Sequence, residues 1–322
     1  MVYNGDEVAP VEKGGKFELI SAFTVGKSRF LRQNAIWRET HKKRELMIKY
    51  CYFNGKFIRE NRVGISPRDL GVLRGYAVFD FMRTEQGKLL FFSRHFSRFK
   101  NSARELGLRI PAGRRELERI IKRLINKNHL REAYIKFILT GGVSGDGISL
   151  KRQKSTFLVL ADRQKLLPQR YYVHGVKIIT SEFRRELPAV KSSNYIWAIK
   201  EQEKREAKGA IETLYIFQGQ VFEASRSNFF IFRGNKLITA GDGILLGITR
   251  GFVLELARNK FEIEERKLKV SELKLADEAF ITATTKRIMP VVKIDGFKVG
   301  DGKVGEKTKW LTREFGRKIK EL

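Results

Sequence analysis

The sequence has one cysteine, four histidines, six prolines and no long apolar run among its 322 residues. Each scarcity closes off a class of protein. Cys51 alone allows no intrachain disulfide and no zinc site built on cysteines. His41, His95, His129 and His174 are scattered, and no pair has metal-ligand spacing, so no metal is expected. No stretch approaches the roughly 18 apolar residues of a membrane span. The N-terminus lacks a basic stretch followed by an apolar core, so no secretory signal is expected and the cytoplasm is the expected location. Neither a G-x-S-x-G elbow nor a G-x-x-x-x-G-K-[ST] phosphate loop occurs, which leaves hydrolase and nucleotide-binding readings without support.

Acidic side chains are few: 36 against 65 basic ones, a net charge of +29. Residues 1–46 hold 9 Lys/Arg and 6 Asp/Glu, a net of +3, so the remaining 276 residues carry +26. An excess spread in this way fits nonspecific nucleic-acid binding, attraction of anionic small molecules to a cleft, or a lysine-rich solvated surface. The aromatics fall at strand and core positions instead of interleaving with clustered cations, and no nucleic-acid-binding motif appears. No specific nucleic-acid partner is therefore expected. The 42% apolar content is that of a folded chain, long enough for one large domain or two medium ones.

Regular patterning begins at Met47. Residues 1–46 read as an extension of unclear role, or Met47 is the true start. Beyond it, Asn54-Gly55 marks a two-residue hairpin between Lys49–Phe53 and Lys56–Arg59. Strands are predicted at Ala77–Thr84, Leu89–Phe92, Ala133–Thr140 and Thr156–Ala161. A helix capped by Ser93 runs to about Leu106, and a second spans roughly Arg114–Asn128. Gly141–Gly147 holds four glycines in seven residues, a mobile surface loop that is either a plain connection or a substrate gate. Gln164–Arg170 reads as an interdomain linker. After it come a strand at Val176–Ser181, a helix at about Ser193–Lys208, a hairpin turning at Gln218-Gly219, a strand at Ser227–Phe232, a helix at Arg250–Asn259 and a buried strand at Glu278–Thr282.

Chemistry gathers in the second half. Pro188-Ala189-Val190-Lys191-Ser192-Ser193-Asn194-Tyr195 places a lysine at the end of a strand-like segment. Glu223 follows 32 positions on, in Val221-Phe222-Glu223-Ala224-Ser225-Arg226-Ser227-Asn228. Gly247-Ile248-Thr249-Arg250 opens a helix, and Thr282-Ala283-Thr284-Thr285 follows an apolar strand. Upstream stand Phe53-Asn54-Gly55-Lys56, Arg74-Gly75-Tyr76-Ala77-Val78-Phe79-Asp80 and His95-Phe96-Ser97-Arg98-Phe99. Each motif is weak alone. As an ordered set over about residues 47–322, with Asp301-Gly302-Lys303-Val304-Gly305 near the end, they resemble the class IV family of pyridoxal-phosphate enzymes. That family contains branched-chain aminotransferases, D-amino-acid transaminases and aminodeoxychorismate lyases.

The resemblance implies an α/β (α+β) fold of two domains. A small α/β domain would cover residues 47–165, and a larger β-barrel-like cofactor domain with peripheral helices residues 166–322. It implies pyridoxal 5'-phosphate as cofactor and Lys191 as the Schiff-base lysine, which also shuttles the proton. Glu223 would keep the pyridine nitrogen protonated, because an adjacent negative charge favours the cation. Arg98, Ile248, Thr249, Thr284 and Thr285 would hold the phosphate, two of them at a helix N-terminus. Tyr195 would hydrogen-bond the phenolate oxygen, or else be a core aromatic. A homodimer or larger is implied, with Gly141–Gly147 as the element reaching the partner.

The substrate is less determined. Tyr134 fits the branched-chain pattern, but the arginine expected two residues later is Lys136, and Ala224-Ser225-Arg226 replaces a glycine-rich stretch. The arginine and histidine of the best-known D-amino-acid transaminases are replaced by Thr140-Gly141-Gly142. Arg74 and Arg226 are expected to bind the substrate carboxylate, or else are surface arginines; Tyr76 and Tyr134 would line the substrate site. Lysine-to-glutamate spacing and the Asp301–Trp310 tail favour D-amino-acid transamination, with D-alanine or D-glutamate and 2-oxoglutarate or pyruvate. The alternative is a branched-chain L-amino-acid aminotransferase, with an aminodeoxychorismate lyase less favoured. Asp80, where the family often has glutamate, and Lys286-Arg287, where it often has an acidic residue, depart from the pattern.

Overall fold

The computed structural model describes residues 49–150 and 155–322. The extension 1–46 and a start at Met47 lie outside the described residues.

Alternation of apolar and polar residues builds a first, six-stranded sheet. Its strands are β1 (Tyr50–Phe53), β2 (Lys56–Arg59), β3 (Ala77–Glu85), β4 (Lys88–Leu89), β5 (Ala133–Thr140) and β6 (Phe157–Arg163), in the order β2-β1-β6-β5-β3-β4. The β1–β2 turn uses Asn54 and Gly55 at φ 44° and 92°, the left-handed geometry a two-residue hairpin needs. Helix α1 (Leu70–Arg74) precedes β3; α2 (Phe92–Glu105) and α3 (Arg114–Lys127) pack on one face of the sheet. Period two decides what each face carries. Ile135 and Phe137 of β5 and Val78 and Met82 of β3 meet Phe99, Leu117, Ile121 and Leu124 of the helices in a fully buried core. Burying each such side chain is worth about 2 kcal/mol. The opposite face therefore receives Phe79 and Phe81 of β3 beside Ile138 and Lys136 of β5, in the register Phe79↔Ile138 and Phe81↔Lys136.

The second sheet has ten strands: β7 (Val176–Glu182), β8 (Glu212–Phe217), β9 (Gln220–Ala224), β10 (Asn228–Arg233), β11 (Lys236–Thr239), β12 (Glu262–Glu265), β13 (Leu268–Lys269), β14 (Glu278–Ala283), β15 (Arg287–Ile294) and β16 (Phe297–Lys298). Their order is β12-β11-β10-β14-β15-β7-β8-β9-β13, with β16 on β15. Phe229 and Ile231 of β10 face one core, with Ile178, Leu214 and Met289. Phe230 and Phe232 face the other, against Val253, Leu311 and Phe315. Being covered on both sides explains why this strand is almost continuously apolar. The remaining helices are α4 (Arg170–Val173), α5 (Ile196–Lys200), α6 (Gln202–Ala207), α7 (Ile248–Ala257) and α8 (Glu306–Glu321). Residues from Tyr50 onward make one compact unit. No helix among the described residues is long and apolar enough to cross a membrane.

Several local expectations need correction. Ser93 does not cap α2: the cap lies two residues earlier, at Phe91 in the left-handed region, and the Ser93 hydroxyl accepts from Arg114. That early turn also cuts the strand expected at Leu89–Phe92 to Lys88–Leu89. The helix expected over 193–208 is two short ones, because Glu201 sits at φ −81°, ψ 0°. Within and beside the Gly141–Gly147 loop, hydrogen bonds join neighbouring residues. The Asp146 carboxylate accepts from Ser144, Ile148 and Ser149, and Val143 bridges to Asp69.

Candidate active site

A cavity of about 540 Å³ lies between the sheet face carrying Phe79, Phe81, Lys136 and Ile138 and the ends of strands β9, β10 and β14. Lys191 enters it from a segment laid along the start of β3. Phe79 N–H donates to the Lys191 carbonyl at 2.9 Å, Ser193 N–H to the Ala77 carbonyl at 2.9 Å, and Lys191 N–H to Ser102 Oγ at 3.0 Å. The backbone is thus fixed on both sides of the side chain, whose Nζ lies 4.4 Å from the centre of the Phe79 ring. Burial, and after it the Arg98 guanidinium, pushes the amine down to about 7. A free base is therefore available near neutral pH, as a nucleophilic or proton-carrying amine requires.

Glu223 stands on β9, almost fully buried. Its Oε1 accepts from Arg185 Nη1 at 3.0 Å, and its Oε2 from Leu245 N–H at 3.2 Å and Asn228 Nδ2 at 3.4 Å. Burial raises the carboxyl, and Arg185 opposes it. Arg185 also donates through Nη2 to the Val190 carbonyl at 2.7 Å, so one guanidinium ties the carboxylate to the residue preceding Lys191. Sequence reasoning missed Arg185, because it lies in an unpatterned stretch and only the fold brings it to Glu223. Asn228 sat in view two residues after Arg226, without a role.

Arg98 lines the cavity from α2 and is aimed by Asp80. Its Nε and Nη2 donate to the two Asp80 oxygens, each at 2.8 Å, and His95 Nδ1 lies 2.7 Å from Oδ1. Asp80 is fully buried. Burial alone would raise it, but Arg98 and His95 hold it well below the usual carboxylate range. Asp80, which departs from the family pattern, thus aims the Arg98 guanidinium.

The opening of α7 forms another wall. Gly247, Ile248 and Thr249 line the cavity, and no side chain caps the helix. Its first N–H groups lack intrahelical partners and favour an anion. Thr284 and Thr285 line the cavity from the turn after β14. Among the described residues the buried Thr282 Oγ1, also in the lining, has no hydrogen-bond partner. A polar group seated in the cavity would supply one.

The cavity thus gathers Lys191, Arg98, Tyr195, Glu223, Ile248, Thr249, Thr284, Thr285 and Arg226. It does not receive the other three residues expected. Arg74 is exposed at the end of α1, its Nη1 on the Leu73 carbonyl. The Tyr76 hydroxyl donates to the Leu106 carbonyl at 2.7 Å. Tyr134 shares a sheet face with Lys136, but its hydroxyl donates to the Lys165 carbonyl. Gly141–Gly147 lines no part of the cavity of its own chain. Tyr195 packs tilted on Phe79, 5.7 Å between ring centres.

An amine near its neutral form, a buried carboxylate facing it and an anion cradle at a helix N-terminus agree with three comparisons. The family model "Amino-transferase class IV" matches residues 77–294. A protein of Methanocaldococcus jannaschii, provisionally named a branched-chain-amino-acid aminotransferase, is 33% identical over 275 residues, covering 82% of this chain and 94% of its own length. D-alanine aminotransferase of Bacillus licheniformis is 31% identical over 267 residues, 80% and 92% of the two chains. Among solved structures, the T.th. branched-chain amino acid aminotransferase with pyridoxamine 5'-phosphate superposes with a TM-score of 0.78 at 26% identity, over 84% of this chain and 94% of that one. The chain belongs to the class IV aminotransferases, and its α/β fold is theirs.

Proposed function

We propose that the protein carries out pyridoxal-phosphate-dependent transamination between an amino acid and a 2-oxo acid, with D-amino acids such as D-alanine or D-glutamate as donors. The observation that carries the transaminase reading is the half-buried amine of Lys191, lowered to about 7, in one cavity with Glu223 and an unshielded helix N-terminus. The residues fit the cofactor: a nucleophilic amine for its aldehyde, a carboxylate for its pyridine nitrogen, and donors for its phosphate. When bound, the cofactor supplies an aldehyde that condenses with amines and a ring that takes up the electrons left when Cα loses its proton.

The chain's own groups would do the rest. Lys191 Nζ holds the cofactor and then, as a free base, moves the proton from Cα. Glu223, fixed by Arg185, Asn228 and the Leu245 amide, keeps a negative charge beside the ring nitrogen. Arg98, Ile248, Thr249, Thr284 and Thr285 would hold the phosphate, and Tyr195 would hydrogen-bond the phenolate oxygen. Arg226 presents its guanidinium to the substrate carboxylate. Arg74, Tyr76 and Tyr134 would reach a site only across a homodimer, with Gly141–Gly147 as the crossing element.

Arg226 supports the D-amino-acid reading, because it puts a cation where a branched-chain enzyme usually has glycine. A second reading, branched-chain L-amino-acid transamination, draws on the apolar wall of Phe79, Phe81 and Ile138. Mixing purified yellow enzyme separately with D-alanine, D-glutamate and L-leucine decides between them. Loss of the yellow absorbance with the D-substrates supports the first reading. Loss with L-leucine alone replaces it by the second. A colourless protein that takes up no cofactor removes both.

A further inference from the structure

Lys286 departs from the family pattern, and its setting gives it a use. It follows Thr285 in the turn between β14 and β15, lines the cavity and is 6% exposed. Its Nζ lies 2.6 Å from Oε1 of Glu212, which is fully buried at the start of β8. Arg226 approaches the same oxygen, with Nε at 3.4 Å, and its side chain is half-exposed. Ser225 and Ser227 donate to the same carboxylate. Two cations therefore share one carboxylate whose lone pairs are occupied from the protein side. The group keeps a net charge of +1 on the cavity wall; Arg226 Nη2 lies 3.5 Å from the Ile211 carbonyl, and its Nη1 has no partner among the described residues. Burying the Lys286 ammonium on a carboxylate that it shares with Arg226 costs desolvation energy that the shared anion only partly recovers. A second anion arriving from the cavity would offset it.

We propose that Lys286 and Arg226, held together on Glu212, form a station that binds a substrate carboxylate. This rests on the transaminase reading for the identity of the substrate. The station replaces the expected partnership of Arg226 with Arg74, which lies elsewhere. Lys136 provides a separate positive charge on the wall formed by the first sheet, with no acidic partner among the described residues. A dicarboxylate could engage both walls, whereas a monocarboxylate would use one.

Isothermal calorimetry on the holoenzyme reads the station directly, with glutarate and propionate as probes that cannot react. Arg226→Ser and Lys286→Gln should each weaken binding about tenfold or more, the loss of a charge-assisted hydrogen bond of about 1.4 kcal/mol. Arg226→Lys, which keeps the charge but not the guanidinium fork, should weaken binding less than Arg226→Ser does. Weakening for glutarate alone assigns the station to a distal carboxylate; equal weakening for both probes assigns it to the α-carboxylate. Unchanged affinities in Arg226→Ser overturn the proposal, and its half-exposed side chain makes that variant the one that folds if Lys286→Gln does not. Cofactor uptake is read separately by absorbance. A failure there strikes the transaminase reading, whereas normal uptake with unchanged carboxylate affinity strikes only the station.

Discussion

At the scale of single residues, the reactivity of the cavity is a matter of burial set against charge. Lys191 loses its proton readily because an ammonium group is poorly solvated there and Arg98 adds repulsion, with Asp80 and Glu223 opposing only in part. The neutral, attacking form grows as pH rises through about 7. Capture of pyridoxal phosphate by the cofactor-free protein should therefore accelerate between about pH 6 and about pH 8, then level off. Stopped-flow absorbance measures this. A rate still climbing steeply above about pH 9 would mean that the amine keeps its ordinary affinity for protons. Lys191→Ala should bind the cofactor without fixing it covalently, and transamination should fall by several orders of magnitude.

At the scale of elements, the site depends on how strand ends and a helix start are brought to one place. Gly247, the residue before α7, has no room for a side chain: a Cβ there would lie 2.1 Å from Asn228 Oδ1. Asn228 in turn donates to Glu223 and to the Leu245 carbonyl at 2.7 Å. Gly247→Ala should thus push Asn228 off Glu223 and shift the first turn of α7, at a cost of about 1–3 kcal/mol. Cofactor affinity, titrated by absorbance, should drop at least tenfold while the far-ultraviolet circular dichroism stays near that of the wild type. Unaltered affinity would show that the helix opening takes no part in holding the phosphate.

The same elements show what could be read in advance. Period-two strands such as Ala133–Thr140 and the Asn54-Gly55 turn were legible because local sterics dictate them. The motif residues Lys191, Glu223 and Arg98 were legible through resemblance, and the structure gathers them in one cavity. The start of α2 was not, because Phe91 takes a left-handed conformation that favours no bulky residue. Nor were the pairs Arg185–Glu223 and Lys286–Glu212. Their members lie 38 and 74 positions apart, and only strand order puts them in contact.

At the scale of the whole molecule, buried ion pairs link stability to pH. Burial alone would raise Asp80 and Glu212, yet Arg98 with His95, and Lys286 with Arg226, hold the two carboxyls below their ordinary values. Carboxyls lowered by folding contribute stability that is present above their unfolded values, about 4, and is lost as pH falls through the folded ones. His95 acts in the same direction, since burial lowers it and the unfolded chain takes up its proton first. Glu223 runs the other way, raised by burial, but it is one group against three. A chain already at +29 also gains repulsion as its carboxylates become neutral. The melting temperature should therefore begin to fall below about pH 6, where His95 acts, and fall more steeply below about pH 4, where the lowered carboxyls lose their contribution. Asp80→Asn should lower it at neutral pH, by roughly 3 kcal/mol of stability for a broken buried pair. It should also flatten the acid slope, because the group responsible for part of that slope is gone. Calorimetric scans across the range compare the two proteins, and parallel slopes would move the acid sensitivity away from the Asp80–Arg98–His95 cluster and onto the surface charge.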